Sequence, residues 1–387
     1  MPRPLPKYAA AAAGLLALLL LCLCGPTLWR HYLGALAQHS APLYEPRELL
    51  SGGNEALAPR VAPQLEQLDP QGLEAAARYA GEHGSRALLV ARHDHVVFER
   101  YWGGTSFDTM SEAQGFTPLL AALATGVAIQ HRRIGWPDEP LALLLPEWQT
   151  DVRGTITIRN LLQQMSGLAP SAGLNEAADL SAAVLARPLL VPPGSVRLEQ
   201  PADAQLLALV LERVTHVRYA QWLSTTLWRR LGAADAWLWL DHPDGMAHAA
   251  CCMFARQGDW IRVGQLLVRD GTYRGEQVIR PGWVELLRTP LKSDPQFGSF
   301  VRFAPPAAAG HEGYAAADTF VVAGSGGNRL WIVPSLQLAI LCTGEPAGRD
   351  AQWDETRVPN LIMRAAHDYL PPAARPGADL STLVPGH

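Results

Sequence analysis

Strand-forming runs stand toward both ends of this chain, and the long stretch between them reads mainly as helix. The first run, ALLVARHDHVVFERYW, is two β-rich pieces around Arg92-His93-Asp94-His95, the pattern of a hairpin. The last are DTFVVAG and RLWIVPSLQLAILCTG, connected through Ser325-Gly326-Gly327-Asn328 and through Pro334-Ser335. Strands so far apart in sequence pair only if the chain returns on itself. The pattern therefore predicts an α+β domain in which one antiparallel sheet is built from both ends, flanked by helices, with an all-α lobe inserted and a cleft between the lobes. The domain should occupy residues 71–375, with the helical lobe at about 108–290.

Within that frame, Pro70 and an early Glu74 start a helix that Gly81 stops. A second helix is expected from Asp108 onward, where Phe116, Leu119, Leu120, Leu123 and Val127 recur at i, i+3, i+4 spacing. Thr109 or Ser111 would cap it. Ser111 then sits at the positive end of the helix dipole beside free backbone N–H groups, which suits either an ordinary N-cap or a nucleophile that develops negative charge nearby. Further helices are expected after Thr155, closed by Gly167, from Asp203 to Val214, at residues 218–232, from Trp260 to the Asp270-Gly271 turn, and near Val358. An extended segment is expected around AWLWL.

The net charge of −4, with no basic stripe interleaved with aromatics, argues against nucleic acid as a partner. His93 and His95 lie two apart without a third ligand placed by the sequence, and no other residues have metal-ligand spacing, so neither metal nor cofactor is expected. No Gly-x-Ser-x-Gly elbow or Gly-Lys-Ser/Thr loop occurs. Lysine stands only at positions 7 and 292. Residues 1–30 hold Arg3 and Lys7, then an apolar block from Tyr8 to Cys24, and read as an uncleaved single-pass anchor. By charge bias the remainder faces away from the cytoplasm, in a bacterium the periplasm, with residues 31–70 as a membrane-proximal arm. Cys251, Cys252 and Cys342 are expected as buried thiols, or with Cys342 bridged to one of the adjacent pair, because neighbouring cysteines rarely bridge each other.

Six segments taken together, VFERYWGG, the helix after Asp108, TIRNLLQQMSGL, PGSVRLEQPADAQLLALVLERVT, DWIRVGQLLVRDG and TFVVAGSGGNRLWIVPSLQLAIL, resemble the serine β-lactamase and penicillin-recognising esterase family. The resemblance is to its class C, 6-aminohexanoate-oligomer hydrolase-like branch. It implies a cleft with three elements: Ser-x-x-Lys at the start of the central helix, Tyr-x-Asn or Ser-x-Asn on a loop of the helical lobe, and a Lys-Thr-Gly or His-x-Gly triplet on the strand lining the cleft. Carried onto this chain, the first falls on Ser111 with Gln114 in place of lysine, and an amide is neither base nor cation. The second falls on Glu199 and Pro201, and the third on Gly324 with Ser325, Gly326 and Gly327, without a cation. Two functions follow from the resemblance. One is acyl transfer on an amide or ester, with Ser111 as nucleophile, Glu199 as base and backbone N–H groups near Ser111 and Gly326 facing the oxyanion. The other is a catalytically silent relative that binds a peptide-like or cell-wall-derived ligand, or a protein partner at the membrane.

Overall fold

The two β-rich ends do meet. The computed structural model describes residues 45–56, 59–112, 115–170, 173–303, 312–324, 327–344 and 353–369. In chain order its strands are β1 (Arg47–Leu50), β2 (Ser85–Arg92), β3 (His95–Tyr101), β4 (Met110–Glu112), β5 (Ala236–Trp239), β6 (Met253–Arg256), β7 (Thr272–Tyr273), β8 (Glu276–Gln277), β9 (Phe320–Ala323), β10 (Arg329–Val333) and β11 (Leu338–Gly344). The α-helices are α1 (Pro70–Glu82), α2 (Thr117–Gln130), α3 (Ile158–Leu162), α4 (Leu180–Leu185), α5 (Ala202–Thr215), α6 (Tyr219–Leu223), α7 (Gln257–Val268), α8 (Trp283–Leu287) and α9 (Arg357–Arg364).

A five-stranded antiparallel sheet in the order β3-β2-β11-β10-β9 joins the N-terminal hairpin to the C-terminal strands through the β2–β11 pair. Both faces of this sheet are covered, which is why its strands read as nearly continuous apolar runs. On one face Leu88, Val90, Trp331, Val333, Leu338 and Ile340 pack with Leu73 and Ala76 of α1 and Ile362 and Met363 of α9. Their alternating neighbours Leu89, Ala91, Leu330, Ile332, Ala339 and Leu341 point into the larger core on the other face. The hairpin turn falls where expected: His93 and Asp94 adopt φ of 47° and 68°, the left-handed pair of a tight turn whose twist matches its strands.

Three expectations about the middle of the chain are corrected. It is less helical than expected: the extended segment around AWLWL is β5, but β4 and β6 also form, and with β1 they make a second antiparallel sheet, order β1-β5-β6-β4. Nor does α7 belong to a separate helical lobe. It lies against the five-stranded sheet, where Gly264 leaves no room for a side chain between the helix and Ala339, Leu330 and Ile332. Finally, α2 is not a one-faced amphipathic helix, since every residue from Thr117 to Ile129 is buried. Trp283 and Trp222 close over it, their indole N–H groups donating to the carbonyls of Ala122 at 3.1 Å and Ala124 at 3.3 Å. A helix that is apolar all round is a central helix.

Among the described residues no helix is long and apolar enough to cross a membrane, and the expected anchor at residues 1–30 lies outside them. Residues 31–44 of the expected arm lie outside as well.

Candidate active site

The helix at the centre of the fold begins later than its sequence pattern suggests. α2 starts at Thr117, with Pro118 in its first turn, where a missing N–H and a fixed φ are tolerated. Neither Thr109 nor Ser111 caps it; Phe116 holds the N-cap position without a side-chain bond, and the Thr109 hydroxyl accepts from the Ser106 N–H at 2.8 Å instead. Ser111 lies on β4, paired with Ala255 of β6, so it is outside the helix dipole that recommended it. A partner strand more than a hundred residues downstream overrides the local preference.

Ser111 is not idle in this position. Gln257, the first residue of α7, donates from Nε2 to Ser111 Oγ at 2.8 Å, and Gln257 Oε1 accepts from Thr343 Oγ1 of β11 at 2.9 Å. A serine, an amide and a threonine thus tie β4, α7 and β11 together. Among the described residues no carboxylate, imidazole or amine is hydrogen-bonded to Ser111, and an amide cannot accept its proton.

Glu199, the expected base, is exposed on the loop before α5, and among the described residues no hydrogen bond joins it to Ser111. The charge it influences is Arg197, which donates to Gln164 Oε1 at 3.0 Å and stacks over the Phe297 ring at 3.6 Å; burial pulls its guanidinium down while Glu199 and Asp294 push it up. Gln114, Ser325 and Gly326 lie outside the described residues. Gly327 enters β10 with φ of 84°, the left-handed turn that glycine tolerates. Lys292, the one lysine among the described residues, is exposed beyond α8 and far in sequence from the start of α2.

Two residues before α2, Gly115 packs against the end of β9. A Cβ built there would lie 2.1 Å from the carbonyl oxygen of Ala323 and 2.3 Å from the Cα of Gly324, all backbone. Asn328 completes the seam, accepting the Gly324 N–H on its carbonyl at 2.9 Å and donating from Nδ2 to the Glu112 carbonyl at 3.3 Å. Among the described residues, the segment before α2 and Gly324 of the third family element therefore meet backbone to backbone. One turn beyond Gly115 stands Pro118, so this register holds no serine and no lysine either.

Sequence reasoning missed a buried polar cluster at the N-terminus of α5. Asp203 Oδ1 accepts from Ser166 Oγ at 2.9 Å and from Arg187 Nη1 at 3.1 Å; Arg187 also donates to Gln200 Oε1, and Gln200 Nε2 to Ser166 Oγ at 3.2 Å. Burial pushes the Asp203 carboxyl up to about 6, against the pull of Arg187 and Ser166. The same burial lowers Arg187. This cluster pins the loop that carries Glu199. An aspartate in the first turn of a strongly apolar helix was the available signal, but it reads equally as a solvated helix start.

The β-lactamase family profile matches residues 71–343. The chain belongs to the β-lactamase family. It is 28% identical over 221 residues to the 6-aminohexanoate-dimer hydrolase of Paenarthrobacter ureafaciens, a match spanning 51% of this chain and 56% of that protein, so it covers little more than half the length of that relative. In structure it is similar to a Bacillus anthracis protein provisionally assigned as a 6-aminohexanoate-dimer hydrolase, with a TM-score of 0.68, 16% identity and coverage of 86% and 92% of the two chains. It is also similar to a penicillin-binding protein homologue from Caulobacter crescentus, with a TM-score of 0.58, 16% identity and coverage of 84% and 100%. At such identities the structural likeness establishes the α+β fold of a family of acyl-transferring serine hydrolases.

The cysteine expectation holds for Cys342 and is corrected for the adjacent pair. Cys251 and Cys252 are bonded to each other, while Cys342 is a buried free thiol on β11, its Sγ 3.2 Å from the Ser85 hydroxyl. The usual obstacle to an adjacent bridge is local backbone geometry, and Cys252 meets it by adopting φ of 68°.

Proposed function

We propose that this chain is a non-hydrolytic member of the β-lactamase family, one that binds a peptide-like, amide-containing ligand without cleaving it. The observation that carries this reading is at Ser111, whose hydroxyl is held by the amide of Gln257 with no base bonded to it among the described residues, close to a Gly115 packed on the backbone of Ala323 and Gly324. Positioned acid–base catalysis contributes about 10²–10⁴ in rate, and neither register of the motif supplies a group to provide it. The ligand class is supported by the relative named for hydrolysis of a 6-aminohexanoate dimer, a linear amide. The apolar block of residues 8–24 supports placing the domain on the periplasmic side of a bacterial inner membrane.

The competing reading keeps Ser111 as nucleophile and Glu199 as base. Incubation of the protein with p-nitrophenyl esters and a reactive β-lactam, followed by turnover and intact-mass measurements, separates the two. The expected result is folded protein with no turnover and no adduct. An adduct or turnover that disappears in Ser111→Ala refutes the non-hydrolytic reading. Calorimetric titration with 6-aminohexanoate dimer and short peptides tests the ligand class, and the absence of heat from all of them would refute it.

A further inference from the structure

Among the described residues, His248, Cys251 and Cys252 bring three potential metal ligands together on the segment that leads into β6. One donor atom from each lies within 4.8 Å of the other two, and all three side chains are buried. Backbone bonds hold the segment rigidly: the His248 N–H donates to the Trp239 carbonyl at 2.8 Å, and the Trp239 N–H to the Cys252 carbonyl at 3.2 Å. The Trp239 ring stacks on the His248 imidazole with centroids 4.4 Å apart and planes at 11°, which fixes the orientation of its nitrogens. His248 Nδ1 lies 3.8 Å from Cys251 Sγ.

The surroundings suit the reduced pair as well as the bonded one. Cys251 Sγ sits 3.3 Å from Asn175 Oδ1, an acceptor. A disulfide sulfur has no proton to donate, whereas a thiol does. Reduction therefore converts an unproductive contact into a hydrogen bond. It also releases two sulfurs on adjacent residues, facing an imidazole that is already oriented.

We propose that His248, Cys251 and Cys252 form a redox-gated site for a thiophilic d¹⁰ cation such as Zn²⁺ or Cd²⁺, open in the dithiol form and closed by the bond between the two cysteines. The chemistry balances simply. An external dithiol reduces the Cys251–Cys252 bond with two electrons and two protons and is itself oxidised to a disulfide. Binding of the cation then displaces one proton from each thiol, so two thiolates and the neutral imidazole supply three ligands, and the Asn175 carbonyl oxygen or a water is placed to be the fourth. Soft sulfur ligands select such ions over Mg²⁺ or Ca²⁺. The site is independent of the fate of Ser111, although β6 pairs with the strand that carries it.

The test uses the whole chain with Cys22→Ser, Cys24→Ser and Cys342→Ser as background, so that Cys251 and Cys252 are its remaining thiols. After reduction, Cd²⁺ is titrated while thiolate-to-metal charge-transfer absorption and native mass are recorded. One ion per chain is expected, released on oxidation of the pair. His248→Ala should weaken binding at least ~10-fold, since losing even an outer-shell partner of a metal ligand typically costs about 10–100-fold. Cys251→Ser with Cys252→Ser should abolish it, and circular dichroism on each variant establishes that the fold is retained. Equal uptake by the oxidised protein, uptake unchanged in the folded double serine variant, or no uptake by the reduced folded chain would overturn the proposal.

Discussion

Substitution of Gly115 is the perturbation that bears most directly on the non-hydrolytic reading. With alanine or serine there, the new Cβ falls 2.1 Å from the Ala323 oxygen and 2.6 Å from its carbonyl carbon. The obstructing atoms are backbone, so no side chain can swing away; the end of β9 must shift against Asn328, whose carbonyl accepts the Gly324 N–H at 2.9 Å. Overpacking of this kind costs about 1–3 kcal/mol. Replacing glycine recovers about 0.4–1 kcal/mol through the unfolded chain. The net loss should be about 1 kcal/mol, which for a domain of this size lowers Tm by roughly 1–3 °C. Calorimetry or circular dichroism melting measures the loss, and nitrophenyl ester turnover is followed in parallel on Gly115→Ser and on Gly115→Ser with Pro118→Lys. Both variants should be destabilised and inactive. A Gly115→Ser protein as stable as the parent, or a double variant that hydrolyses the ester, would show that the seam has room for a nucleophile and would refute the reasoning.

Replacing Gln257 by leucine removes the partner of both Ser111 and Thr343; an unsatisfied buried group costs about 1–3 kcal/mol, so chemical denaturation should show a loss in that range, while Ser111→Ala should cost less. Arg187→Ala leaves Asp203 buried without its cation and should cost about 3–5 kcal/mol, read from urea midpoints. Because burial raises the Asp203 carboxyl from 3.8 to about 6, the folded state holds its proton more tightly than the unfolded state, and that contribution is complete below pH ~4 and lost as pH rises toward 6. The stability of the parent relative to Asp203→Asn should therefore fall across that interval and level off above it; a difference independent of pH between 4 and 7 would contradict the assignment. Glu66 behaves oppositely: burial raises it, but hydrogen bonds from His93 and His95, each 2.7 Å away, outweigh burial and hold it below the usual carboxylate range. Glu66→Gln should thus cost stability at neutral pH and progressively less as pH falls through the Glu66 pKa, measured against the parent by thermal melts.

Much of the local architecture could be read from the residues alone, because its causes are local. Asp69 caps α1 ahead of Pro70, accepting from the Gln71 N–H at 2.9 Å, and Thr157 with Asn160 closes a reciprocal capping box on α3. Hairpin residues His93 and Asp94 supply the left-handed turn, and alternation along β10 and β11 assigns each side chain to one face or the other of a sheet buried on both sides. Such signals act over a few residues, so they survive in the sequence. The order of these elements was enough to predict an α+β domain with one sheet drawn from both ends.

What tertiary structure alone decided are the places where distant segments compete with local preference. Pairing with β6 draws Ser111 into β4 and delays α2 to Thr117, a choice that no pattern around residue 111 reveals. Close backbone approach makes Gly115 the residue facing Gly324, and desolvation sets Asp203 against Arg187 inside the helical region. Glycine in a sequence reports freedom, not contact, and an aspartate reports charge, not burial. The family and its fold are therefore legible in the sequence, whereas the partner of Ser111 and the backbone contact at Gly115 are properties of the folded chain.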